Sequence, residues 1–184
     1  MSDFILHLDG SILLFIQEQI RTPFLTPVVT FITSLGNAGI IWILFSLLLM
    51  AGKRTRETGF MSFAALLFSL LINNLLLKNL VGRIRPYETV QGLILLVSKP
   101  ADFSFPSGHT GSSFASAVVL YRRLPRRAGV PALLLALLIG LSRLYVGVHY
   151  PTDVFVGMIT GVICGFLGEW LVKKIRRTDT SSVS

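Results

Sequence analysis

Charge is scarce in this chain. Only 14% of its 184 residues are Asp, Glu, Lys or Arg, against 52% hydrophobic, whereas soluble globular domains carry about 25% charge. A fold solvated mainly by water is excluded. Acidic residues are the scarcer sign, nine against seventeen basic, which leaves a net charge of +8. Cysteine occurs once, as Cys164 inside an apolar run; an intrachain disulfide is therefore impossible, and the residue reads as a small buried apolar group. Internal repeats are absent, and the polar stretch 178–184 is the one low-complexity tract, expected to be a disordered tail. The N-terminal MSDFILHLDG lacks the basic start and small-residue cleavage site of a signal peptide and is expected to stay in the mature protein.

What the chain has instead is long uncharged runs. Residues 22–52 and 58–77 contain no charged side chain, and further apolar stretches cover 110–121, 128–142 and 154–168. Several approach the roughly 20 apolar residues that cross a ~30 Å hydrocarbon layer. Backbone N–H and C=O groups must be satisfied internally in lipid, and these runs are too continuous for the alternation of a barrel, so an α-helical bundle remains. The expected fold is an all-α, polytopic membrane bundle of about six helices, near 23–35, 39–52, 58–78, 108–122, 129–147 and 151–174, forming one domain over residues 1–177. Pro23, Pro27 and Gly36-Asn37-Ala38-Gly39 divide the first run into two helices. Residues 4–20, with Asp9, Gln17, Glu18 and Gln19 among apolar positions, suit an amphipathic helix in the interface.

The basic residues are gathered rather than spread. Lys53, Arg54 and Arg56, then Arg122, Arg123, Arg126 and Arg127, then Lys173, Lys174, Arg176 and Arg177 account for eleven of the seventeen. No basic face is interleaved with aromatics as nucleic-acid binding requires, so no nucleic-acid partner is expected. Counting spans puts all three clusters on one side of the membrane, cytoplasmic by the positive-inside rule. The 79–107 loop and the 143–150 turn then lie on the extracytoplasmic face, and the protein is expected in the plasma membrane.

Three segments converge on that loop face: Lys78 to Arg85-Pro86, then Pro106-Ser107-Gly108-His109, then Ser142-Arg143 with His149 and Asp153. A lone cation at a span end usually snorkels to the interface. Together with two histidines and an aspartate, the three form an anion site. Phosphoryl transfer spreads negative charge over three equatorial oxygens, and Lys78, Arg85 and Arg143 supply fixed positive donors for them. Ser107 and Gly108 precede a helix, so their backbone N–H groups can point at the same phosphate. Pro151 suits the first position of the last helix, which sets His149 just before it and Asp153 in its first turn. An aspartate there can hold one ring nitrogen and free the other to attack, making His149 the nucleophile and His109 the general acid.

These three segments, K-x6-RP, PSGH and SR-x5-H-x3-D, resemble the signature of the type 2 phosphatidic acid phosphatase family at every position. The resemblance implies a phosphatase that uses no metal and no cofactor, with a helical core also found in vanadium haloperoxidases, and it agrees on the roles of His109 and His149. It also implies Ser107 as a phosphate ligand. The expected substrate is a lipid phosphate or diphosphate, undecaprenyl diphosphate first, with phosphatidylglycerophosphate or phosphatidic acid as the alternative. A non-enzymatic lipid-binding or lipid-moving protein of the same fold would tolerate loss of the nucleophile, which this chain keeps; a haloperoxidase would use the same site in a soluble chain.

Residues outside the motifs receive plainer readings. Asn73 and Asn74 suit interhelical hydrogen bonds, Tyr121 and Trp170 interface anchors, and His7 a solvated interface position. Arg83 stays open between contact with a second phosphate and simple exposure. Oligomeric state leaves no mark on the sequence.

Overall fold

The structure, a computed structural model, describes residues 3–181 and is helical through the long uncharged runs, though the short apolar stretch Leu93–Val97 of the loop is not. In order the helices are α1 (Asp3–Phe15), α2 (Leu25–Leu35), α3 (Ile40–Ala51), α4 (Arg56–Ser69), α5 (Lys78–Val81), α6 (Pro86–Thr89), α7 (Gly108–Arg123), α8 (Arg126–Tyr145) and α9 (Pro151–Ser181). A wider π-helical stretch, Leu70–Leu77, joins α4 to α5 in one continuous rod. The six expected helices are all present. Residues 178–181 of the stretch expected to be a disordered tail continue α9 as helix, and 182–184 lie outside the described residues.

Three described helical segments, Arg56–Thr89, Arg126–Tyr145 and Pro151–Thr178, are long and apolar enough to cross a membrane, and α2 with α3, bent by 46° at the break between them, is long and apolar enough only when the two are taken together. Large apolar side chains such as Leu48, Leu71, Leu134, Leu138, Phe155 and Ile163 are exposed on the outside of the bundle. Such a surface is stable facing hydrocarbon, not water. The protein is therefore a multi-pass membrane protein.

Helix α7 is only 16 residues long and runs down the middle, packed on α4, α8 and α9. Enclosed by protein, it need not be apolar, and its serines bond to its neighbours. Trp42 Nε1 donates to Ser113 Oγ at 2.9 Å, and Ser46, Ser62 and Ser116 form a chain of hydroxyls at 2.7 Å steps. On α9, Gly157, Gly161 and Gly165 recur every fourth residue along α7. A Cβ at Gly161 would lie 2.6 Å from the Gly111 carbonyl, so only glycine permits this approach.

The three basic clusters meet at one end. Glu57 pairs with Arg123 and Arg176, and the buried Glu169 pairs with Arg122 and Lys173. At the opposite end, α1 packs against α9, and the start of α2 is tied to the end of α8 where Tyr145 Oη accepts from Thr22 N. The bent pair α2–α3 thus crosses once, from the α1 end to the basic end.

Candidate active site

At the α1 end, α2, α3, α4–α5, α7, α8 and the 82–107 loop surround one cavity of about 830 Å³. Lys78, Arg85, Gly108, His109, Arg143 and His149 all line it. Lys78, Gly108, His109 and Arg143 arrive on helix ends, where an ionised group costs least, and Arg85 and His149 from the segments just before α6 and α9. Lys78 begins the last turn of the α4–α5 rod, where the widened π stretch also turns Asn74 to the cavity. Arg143 lies in the final turn of α8, and Gly108 and His109 open α7.

The three cations are held by different means. Arg143 Nη1 donates to Thr33 Oγ1 at 2.6 Å, while its buried Nε has no hydrogen-bond partner among the described residues and stays available as a donor. Arg85 donates to Val148 O at 2.8 Å and through Nε to Asp102 O at 2.8 Å. Lys78 and Arg85 both pair with the carboxylate of Asp102, the latter at 2.6 Å. Burial by itself would raise Asp102, but the adjoining Lys78 and Arg85 hold its carboxyl down at about 2. Asp102 is therefore an internal anion lying on two of the three cations that line the cavity.

His149 is 1% exposed and sits in the turn between α8 and α9. Its Nε2 is turned to the cavity, 3.4 Å from Arg85 Nη1, and its Nδ1 lies 3.5 Å from both Asp153 Oδ2 and Ser104 Oγ. Burial, then the cations Arg85 and Arg143, press the imidazole down to about 4 against the upward pull of Asp153. The ring is therefore held in its neutral form at ordinary pH. Asp153 stands behind it, accepting from Tyr150 N at 2.9 Å and from Ser104 Oγ. His109 Nε2 lies 3.0 Å from Asn37 Oδ1, which the bend between α2 and α3 carries to the cavity. That bend needs the left-handed Gly39 (φ 66) and the bare Gly36, where a Cβ would lie 2.8 Å from the His109 ring.

Ser107 is placed otherwise than its sequence position implies. Its N–H, expected to face phosphate, donates to Asp153 O at 3.1 Å, and its hydroxyl caps α7 by accepting from Thr110 N and Oγ1. Ser107 thus fastens α7 to α9, and Gly108, the first residue of α7, lines the cavity in its place. Arg83 is neither exposed nor in the cavity: 8% exposed, it pairs with Asp9 and Asp153. Asn73 Nδ2 donates to Ser69 Oγ at 3.0 Å within its own helix rather than across to a neighbour, and its buried Oδ1 has no partner among the described residues. Asp9, Asn37, Asp102 and Ser104 were not singled out as site residues. Asp102 and Ser104, five and three residues before Ser107, carry a faint signal as polar groups in a motif-bearing loop; Asp9 and Asn37 carry none at that range. Among the described residues no cluster of three or more His, Cys, Asp or Glu side chains is arranged to hold a metal ion.

The fold and cavity define a class: a helical membrane protein with cations, a buried histidine and a second histidine around an anion site. The chain matches the model of the PAP2 superfamily over residues 59–177 and belongs to that family. It is 32% identical over 165 residues to an undecaprenyl-diphosphatase of Sulfolobus acidocaldarius, covering 87% of this chain and 78% of that one. With phosphatidylglycerophosphatase B of Bacillus subtilis it shares 32% over 169 residues, 86% and 80% of the two chains. Its fold is similar to crystal structures of LpxE from Aquifex aeolicus, with a TM-score of 0.76, 29% identity and coverage of 91% and 95%, and of a PAP2 type phosphatidylglycerolphosphate phosphatase from Bacillus subtilis, with a TM-score of 0.76, 29% identity and coverage of 95% and 89%. The protein is a lipid phosphatase of the PAP2 superfamily.

Proposed function

We propose that the protein hydrolyses a polyprenyl diphosphate, undecaprenyl diphosphate in the first place, through a phosphohistidine formed on His149 at the extracytoplasmic membrane face. The observation that carries the chemistry is the shared cavity: His149 Nε2 opens into the same space as Lys78, Arg85, Arg143 and His109. The three cations and the start of α7 hold the terminal phosphate, the oxygens of which gain charge in the transition state. Nε2 of His149 attacks phosphorus, the bond to the leaving oxygen breaks, and His109 protonates that oxygen. Asp153 steadies the imidazolium. His109 then takes a proton from water, which cleaves the P–N bond and releases phosphate. The same residues would serve phosphatidylglycerophosphate, a reading favoured by the second structural relative. The facing of the site rests on its lying opposite the basic end. A cavity at the end of an apolar bundle favours a phosphate attached to a lipid tail.

The test is phosphate release by detergent-solubilised protein, with a chelator present, from undecaprenyl diphosphate, phosphatidylglycerophosphate, phosphatidic acid and a soluble ester. His149→Ala is expected to abolish release, and wild type to prefer the diphosphate. Activity surviving in His149→Ala refutes the mechanism; a preference for another lipid refutes the substrate.

A further inference from the structure

Behind His149, on the side away from the cavity, lies a buried ionic cluster that the three motifs contain only in part. The Arg83 guanidinium stacks over the Tyr150 ring with its carbon 3.7 Å from the centroid. Nη1 donates to Asp153 Oδ1 at 2.6 Å and to Thr152 Oγ1 at 2.7 Å, and Nη2 donates to Asp9 Oδ2 at 2.7 Å. Asp9, on α1, is 2% exposed and also accepts from Thr152 N at 3.1 Å and from Thr152 Oγ1. Asp153 is thus shared, one oxygen facing Arg83 and the other facing Tyr150 N, Ser104 Oγ and His149 Nδ1.

A charge count shows what Asp9 adds. Arg83 and Asp153 alone sum to zero, and a neutral pair is a poor counterweight for a ring that must become cationic. On the cavity side His149 meets two further positive charges, Arg85 and Arg143. With Asp9 included the cluster carries −1. A guanidinium with a second carboxylate also draws less on the first, because its fork is divided between two partners.

We propose that Asp9, which lies outside the residues matched to the family model, is a positioning residue for catalysis: it takes up the charge of Arg83, so that Asp153 keeps a negative charge for the imidazole of His149. Helix α1 is on this account part of the working enzyme and not only an interface anchor. The role rests on the His149 reading above.

Four forms of the full chain set the charge behind the ring: Arg83→Gln leaves −2, wild type and Asp9→Asn/Arg83→Gln leave −1, and Asp9→Asn leaves 0. In detergent, with one lipid phosphate as substrate, Asp9→Asn is expected to lower kcat about tenfold at unchanged KM, the ratio that one pKa unit of lost interaction carries. The double variant is expected to regain most of that loss. The groups facing His149 are Arg85 and Ser104 from the loop, His109 from α7, Arg143 from α8 and Asp153 from α9, all retained in every form. The acid limb of kcat/KM should accordingly lie lowest in pH for Asp9→Asn, together for wild type and the double variant, and highest for Arg83→Gln. If Asp9→Asn does not fold, the order of the other three still decides.

Coincident limbs, or a double variant less active than Asp9→Asn, would make the cluster a structural clamp and overturn the proposal. His149→Ala, run alongside, separates the two readings. If it retains activity, the nucleophile assignment falls and the role of Asp9 with it. If it is inactive while the limbs coincide, only the role of Asp9 falls.

Discussion

Substituting Asp102 by Asn should tighten the binding of inorganic phosphate, although it removes two ion pairs. The carboxylate of Asp102 lies on Lys78 and Arg85, and an incoming phosphate must compete for both. The side chain of Asp102 is 51% exposed while those of Lys78 and Arg85 are 6% and 4% exposed. Water therefore screens one partner of each pair, and each is worth roughly 0.5–1 kcal/mol, the upper part of the range for exposed pairs. Removing both frees about 1–2 kcal/mol for the ligand, equivalent to a roughly 5- to 30-fold lower inhibition constant. The Arg85 Nε bond to the Asp102 carbonyl survives the substitution, so one anchor of the guanidinium is kept. The assay is competitive inhibition by phosphate in detergent, near neutral pH, where Asp102, held at about 2, is fully ionised in wild type. Weaker inhibition in Asp102→Asn would refute the reasoning, since it would mean that the carboxylate aligns the two cations more than it blocks them.

Two further outcomes follow from the same geometry. His149 is pressed from 6.5 to about 4, so the acid limb of kcat/KM, corrected for substrate ionisation, should fall near pH 4; a limb near 6.5 would mean that the ring is not buried as described. A folded-state pKa below the unfolded one means that the unfolded chain binds the extra proton. This group's contribution to stability is therefore complete above about pH 6.5 and is lost as pH falls toward 4. Gly161→Val would drive a side chain into the Gly111 carbonyl and Phe114 Cβ, at 2.6 and 2.9 Å from its first carbon. Overpacking of this kind costs about 1–3 kcal/mol and should lower the thermal midpoint in detergent, whereas Ile163→Val on the lipid face should leave it unchanged.

The helices were legible because lipid enforces them: an uncharged run has few other ways to satisfy its backbone. Among the long helices of the bundle, the one that departs most from the apolar pattern is the central one. Helix α7 is rich in Gly and Ser, and only its neighbours show why, since Ser113 and Ser116 bond to Trp42 and Ser62 from α3 and α4. The single crossing of α2–α3 was equally hidden. It depends on Thr22 meeting Tyr145, a contact 123 residues apart that no local pattern encodes.

The site divides along the same line. Lys78, Arg85, Arg143, His109 and His149 are recognisable by type and spacing and reach one cavity. Their partners are not, because a buried charge needs a counter-charge near it in space, and sequence distance says little about which residue supplies it. Arg83 illustrates the difference. A loop arginine two residues from Arg85 reads as exposed, or as a second phosphate ligand, until Asp9 is seen to arrive from α1, 74 residues away. Once both carboxylates are counted, its burial beside Asp153 needs no phosphate to balance it, and the cations that face the cavity reduce to Lys78, Arg85 and Arg143.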